Sequence, residues 1–362
     1  MKKVSKGNRG VKAKLEKPEL TVGLDLGDRS SHYCFLQDGE VIEEGKIPST
    51  EESLRRHFAD VPRWRIALEN GTHSPWVSRL LESFGHEVIV ANARKIAAIT
   101  SSESKNDRND AEWLARFAAA DPKLLSPIRH RSVERQQDLN LLRSRDALVR
   151  ARTLLVNVVR GLVKSAGFRL PACSPAALPA QAEASIPAEL KVATTPLLKQ
   201  VALLSEQIKE MDRQVEALSQ KYPEIEVLRT VPGVGPVVGA AYVLTLDSPD
   251  IASHRSAGAF LGLRPGQSQS GDSDPERRIS KTGNLYLRSL LVQSAQYILG
   301  RFGPDSALKR WGLKLAAGGG KRAKKRAIVA VARKLAVMLH SMWRSGKSFQ
   351  PFPQSVTATK IA

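Results

Sequence analysis

The sequence predicts an α/β layer domain followed by a mainly helical remainder. Short apolar strands alternate with amphipathic helical stretches up to about residue 120. Beyond that point apolar residues recur with a helical period over long runs, and a Pro/Ala stretch over residues 170–187 divides two of them. With 362 residues, 42% of them hydrophobic, the chain is long enough for two domains and a connector with ordinary cores.

Residues 1–18 read as a disordered basic arm, in which seven Lys and Arg meet only Glu16. Order starts at Leu20. The run Thr21-Val22-Gly23-Leu24-Asp25 predicts a short strand that closes on a carboxylate. Gly27-Asp28-Arg29-Ser30 turns the chain into a second strand over 31–36, and Gln37-Asp38-Gly39 turns it into a third over 40–47. Ser49 with Glu52 fits a capping box for a helix reaching about Ala59. Arg65-Ile66-Ala67-Leu68-Glu69 is another apolar strand ending on an acid. A helix over 73–84 closed by Gly85, a strand over 87–91 and a helix over 107–120 follow.

Residues 131–167 read as a long helix rich in Leu, Val and Arg. After the Pro/Ala stretch a second helix over 189–220 carries Leu197, Val201, Leu204, Ile208, Met211, Val215 and Leu218 at heptad-like spacing. Together they predict a coiled-coil arm with a flexible corner; the stripe reads as intra- or intermolecular packing and suggests, without proving, a homo-oligomer, dimer or tetramer. A last domain opens near Glu226, with helices over 236–246, 256–263 and 285–300, and one after the run Lys321-Arg322-Ala323-Lys324-Lys325-Arg326 that extends to Trp343. The expected organisation is therefore a basic arm (1–18), an α/β domain (19–130), a helical arm with a Pro-rich break (131–225), a helical C-terminal domain (226–345) and a tail (346–362).

Charge narrows the function. With 56 Lys+Arg against 36 Asp+Glu the chain carries +20, a field that attracts polyanions, nucleic acid foremost. No apolar run is long enough for a membrane span, no secretory signal precedes Leu20, and the expected location is the cytoplasm. Cys34 and Cys173 stand alone, which argues against a disulfide scaffold or a zinc site.

Against this basic background four acids stand out. Asp25 and Glu69 each end a strand of one α/β unit, and Asp107 and Asp110 share a helix face at i, i+3. Singly, each reads as a turn, cap or first-turn acid. Convergent, they would need cations among them, and an all-oxygen set selects Mg2+ or Mn2+, ions suited to phosphoryl displacement.

Three blocks then coincide: Gly23-Leu24-Asp25-Leu26-Gly27, Leu68-Glu69-Asn70-Gly71-Thr72-His73 and Lys105-Asn106-Asp107-Arg108-Asn109-Asp110-Ala111. From Leu20 to Arg116 the chain resembles the DEDD-type insertion-sequence transposases of the one-ten family, the group that includes RNA-guided bridge recombinases. Their N-terminal domain is similar to the RuvC junction resolvase, an RNase H-like fold. The resemblance implies that Asp25, Glu69, Asp107 and Asp110 are catalytic metal ligands.

The second half carries its own blocks. Val231-Pro232-Gly233-Val234-Gly235 reads as a helix-hairpin-helix turn, whose Gly233 and Gly235 would let backbone N–H groups approach a phosphate. Its plainer reading is a Pro-Gly turn between helices. Gly262-Leu263-Arg264-Pro265 leads into a polar loop. Arg277, Arg278, Ser280, Lys281, Asn284 and Arg288 cluster around a helix start as a phosphate cradle. The same family carries these blocks in this order. The resemblance implies a serine nucleophile in the loop after Gly-Leu-x-Pro, and the position is Ser270, with Ser268, Ser273 and Ser280 as rivals.

The resemblance also implies donor and target DNA as partners, an element-encoded guide RNA, and a site composed from more than one subunit. Three other readings stand beside it. A resolvase-type metal nuclease would use water in place of serine. An actin-like ATPase or sugar kinase also matches Gly23-Leu24-Asp25-Leu26-Gly27 but needs a second, similar α/β half. A non-catalytic DNA-binding protein leaves the four acids unexplained.

Overall fold

The computed structural model describes residues 20–93, 106–183, 185–247, 254–266 and 277–353. They form two compact units, divided between His130 and Arg131.

The first unit is built on a five-stranded mixed sheet. Strands β1 (Thr21–Asp25), β2 (Ser30–Gln37) and β3 (Glu40–Pro48) form an antiparallel meander. β4 (Arg65–Glu69) lies parallel to β1 and β5 (Glu87–Ala91) parallel to β4, giving the order β3-β2-β1-β4-β5. Helices α1 (Glu51–Phe58) and α2 (Ser74–Ser83) supply buried residues to one apolar layer, and α3 (Asp107–Ala120) to the other.

Strand alternation sorts the side chains between the layers. Val22, Leu24, Ile66, Leu68 and Val90 pack with Leu54, Phe58, Val77 and Leu81. The intervening positions face α3, and beside Ile89 and Leu36 four of them are small: Gly23, Cys34, Ala67 and Ala91. Small residues let the helix come close. A Cβ on Gly23 would lie 1.9 Å from the Ala111 carbonyl oxygen and 2.6 Å from the Ala115 amide nitrogen.

One expectation shifts here. Thr50, not Ser49, caps α1, accepting from the Ser53 amide at 3.3 Å. The Ser49 hydroxyl instead donates to the Gly27 carbonyl at 2.8 Å and meets the Ser31 hydroxyl at 2.8 Å. It therefore ties down the turn after β1, and the capping residue lies one step further on.

The second unit is helical. α4 (Val133–Ser165) and α6 (Ala188–Lys221) run antiparallel as a hairpin. Asp138 meets Lys221 and Tyr222, Arg145 meets Asp212, and Arg152 meets Ser205, so the contacts on α4 recur every seven residues. The stripe of α6 is used inside this unit: Val201 packs at the hairpin tip, Ile208 is buried midway, and Val215 and Leu218 join Leu139 and Leu142 in the core shared with the later helices. The expected flexible corner is partly helical: α5 (Leu178–Glu183) packs Leu178 and Ala182, with Ile186, against Val159, Val163 and Val201 at the hairpin tip.

Beyond the hairpin, α7 (Glu224–Arg229), α8 (Pro236–Leu246), α9 (His254–Phe260), α10 (Leu285–Leu299), α11 (Ala307–Ala316) and α12 (Gly320–Ser345) surround one large core. α8 is buried from Gly239 to Leu246. Its last carbonyls accept from arginines at the foot of the arm: Arg131 reaches Leu244 and Thr245, and Arg135 reaches Asp247. The basic run Lys321–Arg326 was expected to precede the last helix. It instead forms the first two turns of α12.

Candidate active site

At the carboxyl end of β1 the alternation that turns Gly23 toward α3 turns Asp25 the same way. Glu69 stands in the same relation to Ala67 on the adjacent parallel strand. α3 starts at this edge. Asn106 caps it, accepting from the Arg108 amide at 3.2 Å, and Asp107 and Asp110 occupy its first turn. The Gly23 contact fixes the height of the helix above the sheet. Arg108 pairs with Glu44 of β3, and Arg116 donates to the Gly39 carbonyl at 3.1 Å, so the helix is also tied to the β2–β3 hairpin.

A residue outside the predicted set joins this edge. His32 of β2 is the register partner of Asp25. One ligand atom each from Asp25, His32 and Asp107 lies within 4.8 Å of the others, and His32 Nδ1 is 3.7 Å from an Asp107 carboxylate oxygen. A divalent cation fits this set: the two carboxylates suit Mg2+ or Mn2+, and the imidazole favours Mn2+ of the two. The signal was latent in the sequence, since a tight meander places the seventh residue after Asp25 opposite it. Nearby, His73 Nε2 is 3.6 Å from an Asp28 carboxylate oxygen, and the Ser74 hydroxyl binds the Gly71 backbone, fixing the loop after Glu69.

In the second unit two segments pass backbone to backbone. Gly262 (φ +65°) and Gly283 leave no room for a Cβ: one on Gly262 would meet the Thr282 amide nitrogen at 2.7 Å, and one on Gly283 the Phe260 carbonyl oxygen at 2.1 Å. The Ser280 amide donates to the Arg264 carbonyl at 2.9 Å, the Gly266 amide to Arg278 at 3.0 Å, and Pro265 bridges Ile279. This ladder closes the base of the loop that carries Ser268, Ser270 and Ser273. Those three serines lie outside the described residues.

The predicted phosphate cradle divides. Arg277, Arg278, Ser280 and Lys281 are exposed. Asn284 caps α10, accepting from the Leu287 amide at 2.9 Å. Arg288 is 8% exposed and donates to the Leu261 and Gly283 carbonyls, which braces the two glycine segments. The two glycines of the Pro-Gly turn also differ. Gly233 (φ +86°) has Tyr297 and the Ser294 carbonyl against it, whereas Gly235 faces open space.

Two family models match the chain. One describes DEDD-type IS110 transposases and matches residues 22–167, and the other describes the IS116/IS110/IS902 transposase family and matches residues 225–311. The chain belongs to the DEDD-type insertion-sequence transposases. Similar proteins include the transposase for insertion sequence element IS1328 of Yersinia enterocolitica, 28% identical over 81% of this chain and 89% of that one. The transposase for insertion sequence element IS1111A of Coxiella burnetii is 31% identical over 66% of each. A probable family 20 transposase of Pseudomonas aeruginosa is 29% identical over 68% of this chain and 74% of its own.

The transposase is thus a DNA enzyme whose first family block spans the four acids and whose second spans the glycine ladder. Its mixed sheet with a helical second half is consistent with a RuvC-like fold. Among the described residues no helix is long and apolar enough to cross a membrane.

Proposed function

We propose that this transposase cuts and rejoins DNA through a serine ester. Asp25, Glu69, Asp107 and Asp110 hold Mg2+ or Mn2+, His32 adds a nitrogen donor, and Ser270 is the nucleophile. One observation carries the metal reading: α3 is pinned on Gly23, at the sheet edge to which Asp25 and Glu69 turn. When bound, the cations neutralise charge at the scissile phosphate. The chain's own contribution is rigidity. The Gly23 contact and the Arg108–Glu44 pair hold the carboxylates in place before substrate arrives, so little reorganisation accompanies reaction.

In the serine step a bond forms between Ser270 Oγ and phosphorus as one deoxyribose oxygen leaves. The hydroxyl proton passes to the leaving oxygen through solvent or a basic group. The number of phosphoester bonds is conserved, so the reverse attack rejoins a strand. The reading requires donor and target DNA, and the family resemblance adds a guide RNA and a homo-oligomer.

Two measurements test it. Mn2+ affinity, followed by the loss of the free-ion EPR signal, should fall at least tenfold in Asp107→Asn and in His32→Ala, with DNA binding retained. Unchanged Mn2+ affinity in His32→Ala would remove His32 from the set. A nicked substrate should trap a denaturant-resistant protein–DNA adduct that maps between Pro265 and Arg277 and is absent in Ser270→Ala. Labelled water entering the cleaved phosphate, with no adduct, would make the protein a hydrolytic nuclease.

A further inference from the structure

Beside the glycine ladder the second unit holds an open groove of about 950 Å³. Its floor is apolar, from Leu263, Ile279, Trp311, Val329 and Val337, and its rim is cationic, with Arg277, Arg278 and Lys281 on the ladder and Lys325, Arg326, Arg333 and Lys334 on α12. Among the described residues no carboxylate lines it. Beyond Asp305 the sequence carries thirteen Lys and Arg and no Asp or Glu. Five of those cations, Lys321, Arg322, Lys324, Lys325 and Arg326, crowd the first two turns of α12, the end where the helix dipole is already positive. Such an arrangement is unfavourable without an anion nearby. Lys281 lies at φ +57°, an uncommon conformation for a side chain of its size, and it too lines the groove.

Charge alone would suit any phosphate backbone, but the floor selects among them. Duplex DNA presents phosphates and deoxyribose outward and keeps its base faces stacked, so an apolar floor and an indole would gain little from it. A single strand presents phosphates to the rim and base faces to the floor. Trp311 is half-buried on α11 and held from below by the core, with Lys334 Nζ 4.4 Å from its ring centroid. A base can exchange with that ammonium on the ring face, freeing it for a phosphate.

We infer that this groove binds a short single-stranded stretch of DNA, with Trp311 as the stacking platform. The inference rests on the reading of DNA as substrate. It adds that a few unpaired nucleotides are held at the closed base of the serine loop, away from their complementary strand.

The full-length protein is titrated, by fluorescence anisotropy, with an eight-nucleotide single-stranded DNA, the same sequence as RNA, and the matching duplex. Trp311→Ala should weaken single-stranded DNA binding by roughly 5- to 100-fold and leave duplex binding within about twofold, and Trp311→Phe should restore most of the loss. Equal losses on single strand and duplex would mean a purely electrostatic surface and overturn the groove assignment, while duplex binding would still support a DNA enzyme. Tighter binding of the RNA strand, lost in Trp311→Ala, would overturn the choice of DNA. A wild-type chain that binds none of the three would sink both readings. Should Trp311→Ala fail to fold, photo-crosslinking of 5-iodouracil-substituted single strands to the wild-type chain decides. Crosslinks at Trp311 are expected, and crosslinks confined to other segments would contradict the proposal.

Discussion

His86 sits in the apolar layer between Phe58 and Trp64, and its two ring nitrogens are both committed. Nε2 lies 2.7 Å from the Phe58 carbonyl, which can only accept, so Nε2 carries the hydrogen; Nδ1 then accepts from the Trp64 amide at 3.2 Å. That pair of bonds needs a neutral ring, and burial lowers its pKa below 6.5, with the Phe58 bond opposing the shift. An unfolded chain therefore binds this proton more readily than the folded one. Stability is fully present above about pH 6.5 and is lost as pH falls toward the depressed folded value. Thermal melts should show the first unit's transition falling as pH drops below 6.5, before most carboxylates titrate. His86→Asn should be less stable at pH 8 but flatter with pH, and an equal pH slope in both proteins would rule His86 out. Cys34 behaves in the opposite sense to a reactive thiol: burial, helped by Glu44 and Glu112, pushes it up to about 11. It fills space beneath α3.

At the scale of elements the decisive contact is α3 on β1. Gly23→Ala would drive a methyl group into the helix backbone, since no flexible side chain is there to yield. The expected cost is about 3 kcal/mol, the upper end for overpacking, with a displaced helix start and weaker Mn2+ binding. A variant with wild-type melting and metal affinity would show that the close approach does not position the site. The strands and α3 were legible because apolar alternation and an i, i+4 stripe are strong periodic signals, and those elements carry all four predicted acids. His32 was legible only through the hairpin register set by the turn after β1, which no residue type in the strand itself declares. Thr50 and Ser49 are both competent caps, and only the turn after β1 decides between them. The start of α12 was hidden because Lys and Arg are good helix formers, yet a dense basic run also suits a tail. α7 and the small α5 span six residues each, too few for a periodicity to declare itself. Gly233 illustrates a motif whose turn was correctly located but whose packing against Tyr297 no local sequence could reveal.

Charge is not shared evenly along the molecule. Residues 1–130 hold 21 Lys+Arg against 19 Asp+Glu, while residues 131–362 hold 35 against 17, so nearly all of the +20 belongs to the second unit. The unit with the four acids is close to neutral, which suits metal binding. On the proposed reading, the unit with the serine loop is the polyanion binder. Removing a carboxylate ligand and removing a groove cation should therefore have separable signatures. Each cation that neutralises a phosphate releases condensed counterions, so the logarithm of the DNA association constant falls linearly with the logarithm of salt. Its slope grows by roughly one for each contact. Between about 50 and about 200 mM salt the wild-type protein should lose affinity by orders of magnitude. Lys325→Ala with Arg333→Ala should make that slope shallower by roughly two, because both side chains stand on the groove rim and, among the described residues, neither is paired with a carboxylate. Asp107→Asn should leave the slope unchanged while removing metal affinity. If the double variant keeps the full slope, the contacts that release counterions lie elsewhere on the second unit, and the groove is not where its charge meets DNA.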